Sequence, residues 1–258
     1  MTDAKASCDL ARAQEDPLPT LAESKVVWWL LVINITVHVL DGLVISKPEN
    51  VGWLSFWGWF DIRHTMADGG PRQLWRFITY QFLHANLFHL GMNMMALYVF
   101  GPLMEKWWGP RRFLVFYLLC GVCGAWFMSA LVYLSYATNI PLVSGQSYLV
   151  GASGSIFGIL VGVALIAPKL EVKLIIPPMW ITVRRLAIAF FVISMGGLLL
   201  GKNAGGNAAH LGGALFGWLL VRRPWALDWA DRDAPSLKPP GKDGSSSEDV
   251  SGDGPMKG

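Results

Sequence analysis

The sequence predicts an all-α membrane protein: a bundle of six transmembrane helices with both termini in the cytoplasm. Apolar residues make up 53% of the 258 residues and charged residues only 15%, whereas an ordinary soluble domain has about 25% charged residues. The apolar residues are gathered into six long stretches, and most basic residues lie in the two tails and in alternate connections between the stretches. Length and hydrophobicity identify membrane spans, and the placement of basic residues orients them.

Each apolar stretch approaches the roughly 20 residues that a helix needs to cross the hydrocarbon core. The fifth is short and contains Gly196 and Gly197, so we expect it to be tilted or mobile. The membrane domain is predicted over 25–223, between a cytoplasmic tail over 1–24 and a disordered cytoplasmic tail over 224–258 that lacks the apolar residues of a folded core. Spans one to six are predicted at 26–46, 83–104, 112–134, 148–167, 184–201 and 205–222.

The distribution of lysine and arginine orients this bundle. Of the 21 basic residues, 16 lie in the tails and in the connections after spans two and four, against 5 in the opposite connections. The positive-inside rule places the more basic side in the cytoplasm. Because the net charge is only +3 and the basic residues form no stripe, we expect the lipid bilayer and no nucleic acid as a partner.

The connection over 47–82 is predicted to lie outside and is rich in tryptophan and phenylalanine. It can insert into the membrane interface, where aromatic rings prefer to sit, or fold as an external loop with its own small core. Cys120 and Cys123 form a C-x-x-C inside span three. A redox motif needs a partly exposed thiolate, so we interpret this pair as packing residues and expect no metal or cofactor.

Two polar residues, Ser153 and His210, lie within spans four and six. Both spans run from outside to inside, and each residue is about five positions deep, roughly 7–8 Å at the helical rise of 1.5 Å. Ionisable side chains at membrane depth are costly and tend to mark function. A serine beside a histidine can act as a nucleophile with its base.

Glycine spacing indicates that spans four and six touch. Small residues at such spacing let helix backbones approach closely in lipid, so we expect Ser153 to come within reach of His210. The glycines in question are Gly154, Gly158 and Gly162 on span four, and Gly206, Gly213 and Gly217 on the His210 face of span six.

Span two carries further polar residues at a similar depth. His89 and Asn93 are four residues apart and share one helix face, so with the backbone N–H of Ser153 they are candidate donors to an oxyanion. The alternative is that they only tie helices together, and His84 at the mouth of the span is an open case. His38 we interpret as a packing or interfacial residue.

Spans four to six contain no Asp or Glu. The sequence therefore predicts a Ser-His dyad without an acidic third member, so we expect His210 to be oriented by packing.

These residues resemble the motifs of the rhomboid family of intramembrane serine proteases. The G-x-S-G motif matches Gly151-Ala152-Ser153-Gly154, and the A-H-x-G-G-x-x-x-G motif matches Ala209-His210-Leu211-Gly212-Gly213 with Gly217. The H-x-x-x-x-H-x-x-x-N motif matches His84, His89 and Asn93, and the W-R motif of the first external loop matches Trp75-Arg76. The resemblance runs from about residue 26 to 222.

The resemblance implies a serine endopeptidase that cleaves transmembrane segments of other proteins, which reach the site past span five. It implies that Ser153 is the nucleophile, that His210 is the base, and that the oxyanion hole consists of His89, Asn93 and the Ser153 amide. Some bacterial members have a Tyr that stacks on the histidine where this chain has Phe157, so the resemblance implies that His210 packs against the Phe157 ring, which offers no hydroxyl. The short tails suit the basic six-span bacterial type, so we expect a bacterial inner membrane.

Three alternatives compete with this interpretation. A catalytically inactive relative that binds membrane segments would keep the bundle and lose the serine or the histidine, but both are present. A transporter would be expected to show an internal repeat, and none is evident. A lipid hydrolase would carry G-x-S-x-G, whereas position 155 here is Ser.

Overall fold

A computed structural model of the chain describes residues 19–43, 45–46, 51–66, 72–174 and 178–232. The described residues are mostly helical, with three two-stranded antiparallel sheets. The helices are α1 (Lys25–Leu43), α2 (Trp53–Gly58), α3 (Ile62–Met66), α4 (Arg76–Thr79), α5 (Leu87–Trp108), α6 (Pro110–Thr138), α7 (Ser153–Ile166), α8 (Val183–Leu199) and α9 (Ala204–Arg222). The strands are β1 (Ile45–Ser46), β2 (Val51–Gly52), β3 (Phe60–Asp61), β4 (Tyr148–Leu149), β5 (Glu171–Leu174) and β6 (Met179–Thr182), paired in sequence order as β1–β2, β3–β4 and β5–β6.

Three helices, α1, α5 and α6, are long and apolar enough to cross a membrane, and α7 is a shorter apolar helix. Helices α7, α8 and α9 lie at the positions of predicted spans four, five and six. The prediction of a helical membrane protein is therefore confirmed. That six helices cross the bilayer, with both termini in the cytoplasm, stays a prediction.

Span four does not begin as a helix. Tyr148 and Leu149 form strand β4, which pairs with Asp61 and Phe60 of β3. Gly151 then has φ +118, a backbone conformation that residues with a Cβ adopt only with strain. The chain turns here, so Ser153 becomes the first residue of α7, where the sequence had predicted it five residues inside the helix.

Helices α7 and α9 meet backbone to backbone. A Cβ added to Gly217 would lie 2.6 Å from the Cα of Gly158, and one added to Gly213 would collide with the carbonyl of Gly154. Helix α6 packs against α9 at similarly close range, because a Cβ on Gly124 would lie 2.7 Å from the carbonyl oxygen of Ala209. The predicted contact between spans four and six is confirmed.

The described part of the connection over 47–82, which we predict to be external, is folded. Phe60 is fully buried and packs against Phe77 and Tyr80, while Trp53 and Trp57 stay about half exposed. The connection therefore combines a small aromatic core with exposed aromatic rings suited to a membrane interface. Residues 47–50 and 67–71 of this connection lie outside the described residues.

The predicted disordered tail over 224–258 is wrong at its start. Pro224–Ala230 forms a 3-10 helix whose Leu227 is buried. Two ion pairs fasten this segment to the beginning of α6, between Arg112 and Asp228 at 3.2 Å and between Arg111 and Asp231 at 3.3 Å. Apolar burial and ion pairs together order a segment that its composition had predicted to be disordered. Residues 1–18 and 233–258 of the predicted tails lie outside the described residues.

The C-x-x-C pair of α6 consists of free thiols. Cys120 is buried and Cys123 partly buried, and a Cβ on Gly158 would lie within 2.8 Å of the Cβ of Cys120. The interpretation of this pair as packing residues is confirmed for Cys120, which lies against the glycine face of α7.

Candidate active site

Ser153 and His210 are in direct contact. The hydroxyl oxygen of Ser153 lies 2.8 Å from Nε2 of His210, a normal hydrogen-bond distance. Ser153 begins α7, and His210 lies on α9 next to Ala209. The close approach of the two glycine faces brings these side chains together, so the predicted convergence is found.

Phe157 covers one face of the His210 imidazole. The two rings are stacked, with centroids 4.2 Å apart and planes 10° from parallel. Phe157 is four residues after Ser153, so both project from the same face of α7. Phe190 of α8 packs edge-on against Phe157, with centroids 5.8 Å apart. The predicted stacking is confirmed.

Ser194 of α8 contacts the other nitrogen of the histidine. Its hydroxyl oxygen lies 3.4 Å from Nδ1 of His210, and the residue is 2% exposed. The sequence analysis missed this residue. The signal was available, since a serine within the apolar run of span five meets the same criterion of a polar residue at membrane depth that singled out Ser153.

His89 and Asn93 converge on the segment that precedes Ser153. A Cβ on Gly151 would lie 2.7 and 2.8 Å from ring atoms of His89 and 3.6 Å from the amide nitrogen of Asn93. The Asn93 amide donates a hydrogen bond to the carbonyl of His89 at 3.0 Å, which uses one of its two N–H groups. The two candidate donors are therefore grouped beside the nucleophile loop, without a direct bond to the Ser153 hydroxyl.

His84 lies before α5, because the side chain of Asn86 accepts a hydrogen bond from the His89 N–H at 2.9 Å and caps the helix there. His84 is 5% exposed, and its ring packs edge-on against His89 with centroids 5.2 Å apart. His84 therefore contacts a candidate donor, His89.

A cavity of about 660 Å³ lies above the pair. It joins side chains of α5, α7 and α9 with those of the connection before β4. The lining residues include His89, Ser144, Gln146, Ser147, Ser153 and His210.

The loop that carries the nucleophile is held from two sides. Strand β4 pairs with β3 of the external connection, and the N–H of Gly151 donates to the carbonyl of Tyr80 at 2.9 Å. Neither restraint was predicted. A fixed loop keeps the Ser153 amide in a constant position relative to its hydroxyl, as a preorganised site requires.

Trp75 and Arg76 organise the external connection. The Trp75 indole donates to the carbonyl of Trp57 at 3.0 Å. Arg76 is 2% exposed and donates to the carbonyl oxygens of Trp59 and Phe56 at 2.6 and 3.1 Å, at the end of α2. The planar guanidinium thus satisfies backbone carbonyls at a helix C-terminus, where positive charge is favourable.

Asp61 adds a buried carboxylate to the strand that supports the nucleophile loop. Burial alone would raise the pKa of Asp61, but the hydrogen bonds and charge of Arg63, with a contribution from His64, bring it below its ordinary value of 3.8. Arg63 donates to both carboxylate oxygens, with the shorter contact at 2.7 Å. The carboxylate is therefore ionised at neutral pH, and it accepts the Arg63 N–H in the first turn of α3 at 2.8 Å.

The fold and the site define a helical multi-pass membrane protein with a serine-histidine pair below a polar cavity. A family model described as Rhomboid domain matches residues 71–223, and the chain belongs to the rhomboid family. The matched region includes Ser153, His210, His89 and Asn93.

Three relatives illustrate the range of this family. The mitochondrial presenilin-associated rhomboid-like protein of Bos taurus is 30% identical over 59% of this chain and 38% of its own length. Rhomboid protease AarA of Providencia stuartii is 32% identical over 57% of this chain and 54% of that protein. Inactive RHOMBOID-like protein 8 of Arabidopsis thaliana is 32% identical over 49% of this chain and 32% of that protein.

The chain thus spans between about one third and about half of the length of these relatives. One of them is named a protease and another is named inactive. The relatives include mitochondrial and plant proteins, so they do not support the predicted bacterial inner membrane over another membrane.

Proposed function

We propose that this chain is an intramembrane serine endopeptidase, which hydrolyses peptide bonds in transmembrane segments of other membrane proteins. Ser153 is the nucleophile and His210 the general base. The observation that carries the proposal is the 2.8 Å contact between the Ser153 hydroxyl and Nε2 of His210. A serine hydroxyl is a weak nucleophile until a positioned base takes its proton.

The proposed topology has six membrane crossings, by α1, α5, α6, α7, α8 and α9, with both termini in the cytoplasm and the membrane domain over 25–223. The distribution of basic residues supports it. In this orientation β3, β4 and the mouth of the cavity lie near the outer face. Ser153 then lies at the outer end of α7, within reach of external water.

The first half of the reaction forms an acyl-enzyme. Nε2 of His210 accepts the hydroxyl proton of Ser153 while the hydroxyl oxygen attacks the carbonyl carbon of the scissile peptide bond. The tetrahedral intermediate collapses as the imidazolium passes that proton to the leaving amine. In the second half, water from the cavity attacks the ester while His210 accepts its proton. The second tetrahedral intermediate collapses as the imidazolium passes that proton to the Ser153 oxygen, which releases the acid product and free Ser153.

Negative charge on the tetrahedral oxygen needs donors that are already in place. The Ser153 N–H lies in the first turn of α7, where backbone N–H groups have no acceptor within the helix. The second N–H of the Asn93 amide and a ring N–H of His89 approach the same region from α5. These three donors form the proposed oxyanion hole.

The proposed substrate is a transmembrane segment that reaches the site from the bilayer along α8, while water enters from the cavity. The outer surface of α8 exposes large apolar side chains to the surroundings, among them Ile188, Val192 and Ile193. A membrane-embedded segment can approach along this surface and bend into the cavity. Water in the cavity supplies the second substrate, since polar structure at membrane depth is tolerated where it lines such a hollow.

An inactive membrane-segment-binding protein is the second candidate, because one relative is named inactive. Such a protein would bind a membrane segment without cutting it. The presence of Ser153, His210 and their contact favours the enzyme.

The test is cleavage of a transmembrane reporter by the full chain reconstituted in lipid vesicles. The wild-type chain and Ser129→Ala, which removes a hydroxyl bonded within α6, should both release a fragment. Ser153→Ala and His210→Ala should release none. Binding of the reporter without cleavage by the wild-type chain would support the inactive alternative, and cleavage by Ser153→Ala would contradict the proposal.

A further inference from the structure

We propose that Ser194 is a positioning residue, which holds His210 in the tautomer and the orientation that a general base requires. The inference rests on the function proposed above and adds a third member, a neutral hydroxyl, to the serine-histidine pair. It begins from the 3.4 Å distance between the Ser194 hydroxyl and Nδ1 of His210.

The contact belongs to a register between two antiparallel helices. A Cβ on Gly197 would collide with the Asn207 side chain, so α8 and α9 touch at that level. Three residues earlier on α8 is Ser194, and three residues later on α9 is His210. Residues three apart share a helix face, so the packing that joins Gly197 to Asn207 also sets Ser194 opposite the histidine.

A second contact places the same face of α8 against the site. Phe190, four residues before Ser194, packs edge-on against Phe157, which stacks on His210. Helix α8 therefore supports the imidazole at two places. Phe190 packs against the Phe157 ring that covers the imidazole face, and Ser194 contacts the imidazole edge.

The chemistry of imidazole explains what Ser194 contributes. A neutral imidazole carries one N–H, and the nitrogen without it is the acceptor. For Nε2 to accept the Ser153 proton, Nδ1 must carry the hydrogen, and the bond made at one nitrogen decides which tautomer forms. The Ser194 hydroxyl oxygen accepts the Nδ1–H, and it continues to do so when His210 becomes an imidazolium.

A hydroxyl can serve here where a carboxylate is absent. Helices α7, α8 and α9 contain no Asp or Glu, and an ionised carboxylate at membrane depth would be expensive. A buried serine gives the Nδ1–H an acceptor at a lower desolvation cost, since a neutral group loses less hydration than a charge.

The experiment compares Ser194→Ala, Ser194→Thr and the control Ser129→Ala in the reconstituted full chain. We expect Ser194→Ala to lower kcat about three- to tenfold with KM unchanged, because one neutral hydrogen bond is lost. Ser194→Thr keeps the hydroxyl and should recover most of kcat, and Ser129→Ala should match the wild type.

The second readout is the nitrogen-15 spectrum of the histidine side chains, with the His210 signals assigned from their loss in His210→Asn. In the wild type, Nδ1 of His210 should carry the hydrogen, and Ser194→Ala should shift population to the Nε2–H tautomer. This signal reports the contact even in a chain that cleaves nothing, so an inactive wild type counts against the proposed function alone.

Two results would overturn the inference. One is a wild-type His210 tautomer together with a wild-type kcat in the Ser194→Ala variant. The other is an equal loss of activity in Ser194→Ala and Ser194→Thr, with a lowered Tm and an unchanged tautomer, which would show that Ser194 only packs.

Discussion

The ring of Phe157 lies parallel to the imidazole of His210, with centroids 4.2 Å apart. The two side chains come from different helices, α7 and α9, and the stacking ring is on the helix that carries Ser153. One helix therefore sets both the orientation of the proposed base and the position of the proposed nucleophile.

Substitution of Phe157 tests the stacking. Phe157→Leu should lower kcat about two- to tenfold with little change in KM, because it removes a ring–ring contact of modest energy while keeping an apolar side chain. Phe157→Tyr keeps the ring and should retain activity near that of the wild type. Steady-state cleavage of a reporter measures kcat and KM for both variants. A wild-type kcat in Phe157→Leu would show that the stacked ring does not contribute to catalysis.

Substitution of Gly213 tests the helix contact. Gly213→Ala adds a Cβ that meets the Gly154 backbone, and we expect the free energy of unfolding to fall by about 1–3 kcal/mol, as for other overpacked interiors. Gly196→Ala is the matched control, because a Cβ there has nothing within 4 Å. Thermal unfolding in detergent gives the comparison; equal Tm values for the two variants would contradict the close backbone contact.

Replacement of Arg76 tests the anchor of the external connection. Arg76→Lys keeps the charge but cannot reach the carbonyls of Phe56 and Trp59 together with Gln73, so the 51–82 segment should become more sensitive to limited proteolysis. Arg72→Lys alters an exposed position of the same connection and should leave the cleavage pattern unchanged. An unchanged pattern in Arg76→Lys as well would show that the hydrogen bonds do not hold the segment.

The pKa of Asp61 gives a prediction for pH. Because it is lowered from 3.8, the ionised carboxylate contributes stability that is fully present well above pH 3.8. That contribution declines as the pH falls through the lowered pKa, because the folded state must then take up a proton that the unfolded state already binds.

The measurement is Tm against pH for the wild type and for Asp61→Asn. The wild type should be the more stable at pH 7, and the difference should shrink as the pH falls below 3.8. A constant difference over this range would contradict the assigned role of Asp61.

The sequence was sufficient to predict that Ser153 lies near His210. The alternate placement of basic residues gave each of them a depth in the membrane, and the spacing of the glycines gave a reason for their helices to touch. Ser194 was not predicted because the third member was expected to be a carboxylate. A neutral hydroxyl in span five can occupy the same position beside Nδ1 of His210 without bringing a charge into the membrane.

Other features could not be obtained from hydropathy. The run over 148–167 is predominantly apolar, and such a run does not distinguish a strand from a helix. Strands β3 and β4 have two residues each, too few to show an alternation, and their pairing brings together positions that are distant in sequence. The helix start at Leu87 was readable in principle, since Asn86 before an apolar run is a capping signal.

The most direct test of the central claim is covalent labelling of the full chain with a fluorophosphonate probe, located by mass spectrometry. Such a probe reacts with a serine only where a base activates it. We expect one labelled peptide, with the adduct on Ser153, and no labelling of His210→Ala or of Ser153→Ala. Labelling of Ser153 that persists at the wild-type rate in His210→Ala, or an adduct on another serine, would contradict the account.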